Sequence, residues 1–472
     1  MTPQSAPTSS LSTMTPSIVD RALRLFAPVR SGEGVVALLM FLCVFAILCA
    51  YYVLKTAREG LILSGGMFGL GGDELKIYAT GVMAMLLVMI VPAYGALASR
   101  VRRIKLINIS YTIVLSCLLA FFVLARAGVP IGLVFFIWLG LVNMFLVAQF
   151  WSYANDLYTE EQGKRLFAII AIGGAAGAIF GPKVAKLAQT YTLLVVAAGL
   201  LAFCLALFNL IERIQVTKSA SAAKSASEQI SGDGGFALVL RDKYLLLIAG
   251  MALVSNLVNS TGEYLLSNVV TERAAQIATT AAERREWIKA FYADFFFWVN
   301  LVGFLVQAFL VSRLIARFGL RAAVFVLPLI ALATYGSIAS AAGIGALALV
   351  RVAKIAENAT DYSVQNTVRQ ALFLPTDRAV KYKAKAAIDT FFVRLGDTIS
   401  AILIGIGIHQ LDLDPKEIAV VNLGLVLVWI AIAVGIAKRY AGMTEATDVD
   451  DDAFDAATTL QWKPSTSSPV GA

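Results

Sequence analysis

Residues 94–106 read YGALASRVRRIKL, and residues 306–321 read VQAFLVSRLIARFGLR. In both, an apolar run closes on Ser-Arg (Ser99-Arg100 and Ser312-Arg313), and further basic residues open a tight turn into the next apolar run. Working outward from these two turns, apolar runs fall at 35–62, 76–98, 104–125, 131–155, 165–187 and 190–212. A second set falls at 243–269, 289–312, 320–341, 343–372, 383–409 and 416–438. About 20 apolar residues cross a bilayer, and these runs reach that length repeatedly. The pattern predicts an all-α membrane protein of twelve spanning helices in two related six-helix bundles.

Other pairs repeat across the halves. AREGLIL (57–63) in the first span matches TGEYLLS (261–267) in the seventh, aligning Glu59 with Glu263. LYTEEQGKRLFAII (157–170) corresponds to LPTDRAVKYKAKAAI (374–388). A repeat of six helices and six helices is the plan of two parallel bundles around a central cavity. The expected parts are an N-terminal segment 1–33 with an amphipathic surface helix, a bundle 34–213, a linker 214–241, a bundle 242–440 and a disordered tail 441–472. The surface helix rests on PSIVDRALRLFAPV (16–29), whose Ile18, Val19, Ala22, Leu23 and Phe26 share one face. The linker rests on the small polar stretch VTKSASAAKSASEQISGDGG (216–235).

Composition agrees with a membrane setting. Of 472 residues 59% are hydrophobic and 15% charged, against about 25% charged in soluble proteins. The net charge of +8 does not indicate nucleic-acid binding, because Lys and Arg collect in alternate loops, as cytoplasmic loops require. Arg100, Arg102, Arg103, Lys164, Arg165, Arg313, Arg317, Arg321, Arg378, Lys381 and Lys383 then lie inside, as do both termini, whereas the opposite loops include the acidic LDLDPKE (411–417). The lipid bilayer is the expected partner, and nothing in the pattern requires an oligomer. Cys43, Cys49, Cys117 and Cys204 lie inside apolar runs without metal-ligand spacing, and His409 is the single histidine. No Walker A sequence is present, so neither an enzyme nor a cofactor site is expected. The glycines of GGMFGLGGD (65–73) read as a flexible loop. Gly173, Gly177 and Gly181 form a small-residue ladder for helix packing.

The informative residues are charges within spans, because a charge at the bilayer centre costs roughly 2.5–3.5 kcal/mol on insertion scales. YYVLKTAREGLIL (51–63) places Lys55, Arg58 and Glu59 close together, with apolar sequence continuing beyond them. VRVAKIAENATDYSVQNTVRQ (350–370) spaces Arg351, Lys354, Asn358, Asp361 and Gln365 by threes and fours, with Glu357 and Arg369 alongside. This reads as one polar stripe on a helix. KYKAKAAIDTFFVRLGD (381–397) adds Lys385, Asp389, Arg394 and Asp397, the last two able to pair at i,i+3. A cation-rich lining suits an anionic substrate carrying several charges. An intramembrane ion-pair network that only holds the fold is the structural alternative.

YYVLKTAREGLIL, FWSYANDLYTEEQGKRLFAIIAIGG (150–174) and RQALFLPTDRAVKYKAKAAIDTFFVRLGD (369–397) resemble the ATP/ADP carrier family of intracellular bacteria and plastids. The resemblance covers roughly residues 20–440, and the basic turns resemble the major-facilitator signature in degenerate form. It implies a major-facilitator-like fold and counter-exchange of ATP and ADP in a bacterial inner (plasma) membrane. The family's first-helix cation falls on Arg58, with Lys55 one turn before, and its lysine-rich eleventh-helix entry on Lys383 and Lys385. The chain departs from the plastid pattern at two acidic positions, which fall near Trp138 or Leu139 and near Asn259, with Glu263 one turn later. The expected substrate contacts are Lys55, Arg58, Arg351, Lys354, Lys385 and Arg394. Glu59, Glu263, Glu357, Asp361 and Asp389 are expected to pair with them when the site is empty. A carrier of another anionic or proton-coupled solute, and a non-transporting scaffold or sensor, are the alternatives.

Overall fold

The computed structural model describes residues 29–30, 33–98, 103–216, 235–340, 346–376 and 380–461. The expected surface helix before residue 29, most of the 214–241 linker, and residues 99–102 and 377–379 of the basic turns lie outside them. The chain runs through α1 (Gly34–Leu63), α2 (Gly72–Ala98), α3 (Arg103–Arg126), α4 (Gly132–Leu157), α5 (Glu160–Lys186) and α6 (Thr190–Val216). The short α7 (Gly235–Arg241) leads into α8 (Lys243–Ile277), α9 (Ala281–Phe309), α10 (Val311–Ala323), α11 (Val326–Ser340) and α12 (Ala346–Thr360). After a π-turn at Asp361–Gln365 come α13 (Asn366–Ala371), α14 (Lys385–Ala387), α15 (Val393–His409) and α16 (Pro415–Gln461). The last helix thus passes residue 441, where the composition suggests an unstructured tail. Among the described residues the only β contact is an isolated Met67–Leu70 bridge.

Nine of the described helices are long and apolar enough to cross a membrane, or ten if α10 and α11, bent by 74°, form one span. Many of their outward side chains are large and apolar, among them Ile113, Leu119, Val123 and Val134. A water-soluble surface rarely gathers such side chains into patches, whereas lipid tails accept them. The chain is a multi-pass membrane protein with an all-α fold among the described residues. Gly72–Ala98 and the interrupted segment Ala346–Ala371 fall outside that measure, so twelve spans remain an expectation.

Contacts divide the chain into two compact units. The first comprises Met1–Ala79, Met89–Ala226 and Val270–Leu301; the second comprises Thr80–Val88, Ser227–Val269 and Val302–Ala472. The partition follows the two halves of the sequence except in two places, where residues 80–88 cluster with the second unit and 270–301 with the first.

In the first unit α1 is the hub, packed against α4, α5 and α6, and α3 packs against α6. The glycine ladder does what its spacing suggests. A Cβ on Gly173 or Gly181 would lie 2.7 Å from the carbonyl oxygen of Phe41 or Cys49, and one on Gly177 would collide with that of Phe45. Without side chains there, α5 lies directly on the backbone of α1. Their N-terminal ends are tied as well. Thr159 caps α5 in a capping box with Gln162, and Arg165 donates to both oxygens of Glu33, just before α1, at 3.0 Å. The glycine-rich stretch before α2 is a tight turn, with Gly69 at φ 79°, a conformation open to glycine at little cost. A core of Phe135, Phe150, Phe208 and Tyr111 fills the space between α3, α4 and α6.

In the second unit α11 packs on α12 and α16, with Trp429 and Tyr335 among the largest enclosed side chains. The basic turn expected at 313–321 is instead helical. Val311 to Phe318 is just over two helical turns carrying Arg313 and Arg317, and Gly319 at φ 74° breaks it. The expected ninth span therefore starts after that glycine.

Candidate functional site

The first helix continues to Leu63, so Lys55, Arg58 and Glu59 lie within it rather than beyond its end. Glu59 is 1% exposed. Its Oε1 accepts from Arg58 Nη2 at 2.7 Å and Nε at 3.2 Å, and its Oε2 lies 2.9 Å from Lys76 Nζ. One carboxylate is thus shared by two buried cations. Arg58, Lys76 and neighbouring Lys55 each also meet an aromatic face. The Arg58 guanidinium is 4.1 Å from the Phe136 ring centroid, Lys76 Nζ is 5.1 Å from that of Tyr292, and Lys55 Nζ is 4.2 Å from that of Phe296. Among the described residues no carboxylate pairs with half-buried Lys55. Arg58 and Lys76 thus draw on one buried carboxylate, beside Lys55. Lys76 is the member that sequence reading misses, because GDELKIYA looks like a solvated helix start.

The second unit holds the inverse arrangement. Lys354 is fully enclosed, its Nζ 3.0 Å from Glu357 Oε2, 3.1 Å from Asn259 Oδ1 and 3.8 Å from Glu263 Oε1. The Tyr335 hydroxyl donates to Glu357 at 2.8 Å, and Asn358 Nδ2 donates to Glu263 at 3.0 Å. Gly262 makes this possible, since a Cβ there would overlap the Tyr335 hydroxyl and reach within 2.9 Å of Lys354 Nζ. Asn259 supplies a neutral oxygen to the lysine. A buried charge needs such partners, and Lys354 has them on several sides. Tyr335 is the participant sequence reading does not find, since nothing in TYGS sets it apart.

The polar stripe is not continuous. The π-turn at Asp361–Gln365 shifts the helix register between Asn358 and Gln365, so the spacing of threes and fours fails to keep them on one face. Such turns are frequent at functional sites. Arg351 is half-buried one turn before Lys354, Asp361 half-buried at the π-turn, and Gln365 buried. Two further π-turns, Val380–Ala384 and Ile388–Phe392, flank Lys385. There Lys385 pairs with Asp389 at 2.7 Å and Arg369 approaches the same carboxylate at 3.6 Å. Arg394 pairs with Asp397 at 3.2 Å, as i,i+3 spacing suggests. Asp397 also accepts from Ser260 at 2.5 Å and Asn256 at 2.7 Å on α8.

The structure therefore joins Arg58 with Glu59, Lys354 with Glu357 and Glu263, and Lys385 with Asp389. Residues 133–440 match the family described as TLC ATP/ADP transporter. The chain belongs to that family. It is similar to the ADP,ATP carrier protein 1 of Chlamydia muridarum, 23% identical over 352 residues, covering 65% of this chain and 64% of the relative. It is also similar to the ADP,ATP carrier protein 5 of Rickettsia bellii, 23% identical over 312 residues, covering 55% of this chain and 59% of the relative. The chain thus spans less than two thirds of the length of these curated relatives. In fold it resembles the crystal structure of the peptide transporter POT in complex with sulfate. The TM-score is 0.61 at 14% identity, over 89% of this chain and 99% of that one.

Proposed function

We propose that the protein is a membrane transporter that exchanges nucleotides, ATP against ADP, by alternating access. The observation carrying this reading is the cluster in the first unit, where Arg58 and Lys76 share buried Glu59 and no carboxylate among the described residues pairs with Lys55. Guanidinium and ammonium groups are the natural partners of phosphate oxygens, and family membership supports a nucleotide as the phosphate-bearing solute. In this reading Lys55, Arg58, Arg351, Lys354, Lys385 and Arg394 bind phosphate groups. Glu59, Glu263, Glu357, Asp361 and Asp389 neutralise them in the empty protein.

The contacts support that resting arrangement for Arg58, Lys354 and Lys385. Lys354, being enclosed, meets a substrate only after its cage opens. The proposed setting is a bacterial plasma membrane with twelve spans and both termini in the cytoplasm. Single cysteines introduced at Arg103 and Lys383 then stay unreactive towards impermeant reagent added outside, and labelling from outside overturns the topology.

A binding screen of the purified protein tests the substrate. Nucleotides are expected to raise its thermal stability with the logarithm of their concentration over Kd, with ATP and ADP above adenosine. Stabilisation by a different organic anion, with none by nucleotides, overturns the assignment.

A further inference from the structure

An apolar cleft of about 150 Å³ opens in the first unit between α1, α4 and α5, with Val44, Ile47, Leu48, Phe150, Trp151 and Gly174 in its wall. It is smaller than the roughly 300–1,000 Å³ that whole small molecules occupy, so it suits one ring system rather than a complete nucleotide. Trp151 is fixed in place by Phe150 and Phe167, whose ring centroids lie 5.3 Å and 5.7 Å from its own in edge-to-face contact. Gly174 keeps the wall open; a Cβ there would come within 3.3 Å of Leu48 and 3.5 Å of Val44.

The cleft and the cation cluster share one face of α1. Val44, Leu48, Tyr51, Lys55, Arg58 and Glu59 follow one another at steps of one to four residues, and steps of three and four keep side chains on one side of a helix. At 1.5 Å per residue, Lys55 stands about 10 Å along the axis from Leu48, and Arg58 about 15 Å. That span separates an apolar, aromatic end from a cationic end, which is the polarity of a nucleotide.

We infer that this cleft is a nucleobase subsite, with the base stacked against Trp151 and the phosphate chain directed along α1 towards Lys55, Arg58 and Lys76. The inference rests on the nucleotide reading above. Its apolar wall offers no partner for phosphate charge, while every base presents a π-face that an aromatic side chain can stack on. A lipid chain is the competing occupant, and the test separates it.

The experiment compares ATP with inorganic tripolyphosphate, which has the phosphates and lacks the base, by calorimetric titration of the full-length purified protein. Trp151→Ala removes the stacking face, Trp151→Phe keeps a ring, and Ala175→Leu adds volume at Ala175, which also lines the cleft. Loss of base stacking corresponds to about a tenfold or greater fall in affinity. Trp151→Ala and Ala175→Leu are therefore expected to weaken ATP at least tenfold and Trp151→Phe much less, with tripolyphosphate unchanged in all three. Unchanged ATP affinity in both Trp151→Ala and Ala175→Leu, or an equal fall for ATP and tripolyphosphate in both, overturns the subsite and leaves nucleotide transport standing. Release of a co-purified lipid by Ala175→Leu with ATP affinity intact overturns it as well. A wild-type protein that binds tripolyphosphate but not ATP overturns the subsite and the nucleotide reading together.

Discussion

The clusters around Glu59 and Lys354 use the same residue types in opposite proportion. In the first unit two cations share one acid; in the second, two acids face one lysine. In the first arrangement the cations lie against aromatic faces, and in the proposed function they receive an anion. The second is already supplied with opposite charge, plus a tyrosine hydroxyl and two asparagines. Substitutions in the first cluster should therefore register chiefly in ligand affinity, and substitutions in the second chiefly in stability, Lys354 meeting substrate only once its cage has opened.

The largest expected effect is in the lysine cage. Lys354→Ala leaves Glu357 buried without its cation, and breaking a buried pair costs about 3–5 kcal/mol. A sharply lowered thermal midpoint in detergent is expected. Replacing both partners (Lys354→Met with Glu357→Leu) should recover much of the stability without recovering transport. If Lys354→Ala melts like wild type, the cage is not a stability element and the contrast with Glu59 collapses.

Next comes the cation-rich cluster. Arg58→Gln or Lys76→Gln removes a charge-assisted contact worth about 1.5–3 kcal/mol, so ATP affinity is expected to fall roughly ten- to hundredfold while adenosine binding stays level. Equal effects on both ligands would place these residues away from the phosphates. A smaller effect is expected of Tyr335→Phe, which deprives Glu357 of one donor and should cost about 1–3 kcal/mol of stability with little change in ATP affinity.

The smallest concerns Glu33, outside the spans. Burial pushes its carboxyl up, but the Arg165, Arg30 and Gln162 hydrogen bonds outweigh that and hold it below the ordinary range. A lowered folded value stabilises the protein above the unfolded pKa of about 4.3, and that contribution disappears as pH falls through the folded value. The stability gap between wild type and Glu33→Gln, about 1 kcal/mol or less, is expected near pH 7 and should close towards pH 3. A gap that widens on acidification would reverse the sign.

Much of this arrangement is legible in the sequence because membranes penalise charge. Lys55, Arg58 and Glu59 stand out because LIL follows them, and the repeat aligning Glu59 with Glu263 points to both clusters. The α5 glycine ladder is equally readable, since only a close backbone approach demands three small residues in register. Lys76 is obscured because Asp73 and Glu74 beside it imitate an ordinary helix start. Tyr335 is obscured because a tyrosine in an apolar run carries no sign of its hydroxyl's partner. The π-turns have no sequence marker, since they depend on where a backbone hydrogen bond slips. The polar stripe consequently reads as one face when it is two. Residues 270–301, which pack with the first unit, are likewise assigned by their place in the sequence to the second.

Exchange in proteoliposomes tests the central claim most directly. Vesicles loaded with ADP are given labelled ATP outside, with the membrane potential set by a potassium gradient and valinomycin. ATP and ADP differ by about one charge, and each charge moved couples to about 2.3 kcal/mol per 100 mV. Uptake is expected only with ADP inside, to be biased by the imposed potential, and to fall in Arg58→Gln. Uptake of another anion, with none of labelled ATP at any potential, would contradict nucleotide exchange and leave a transporter of different specificity.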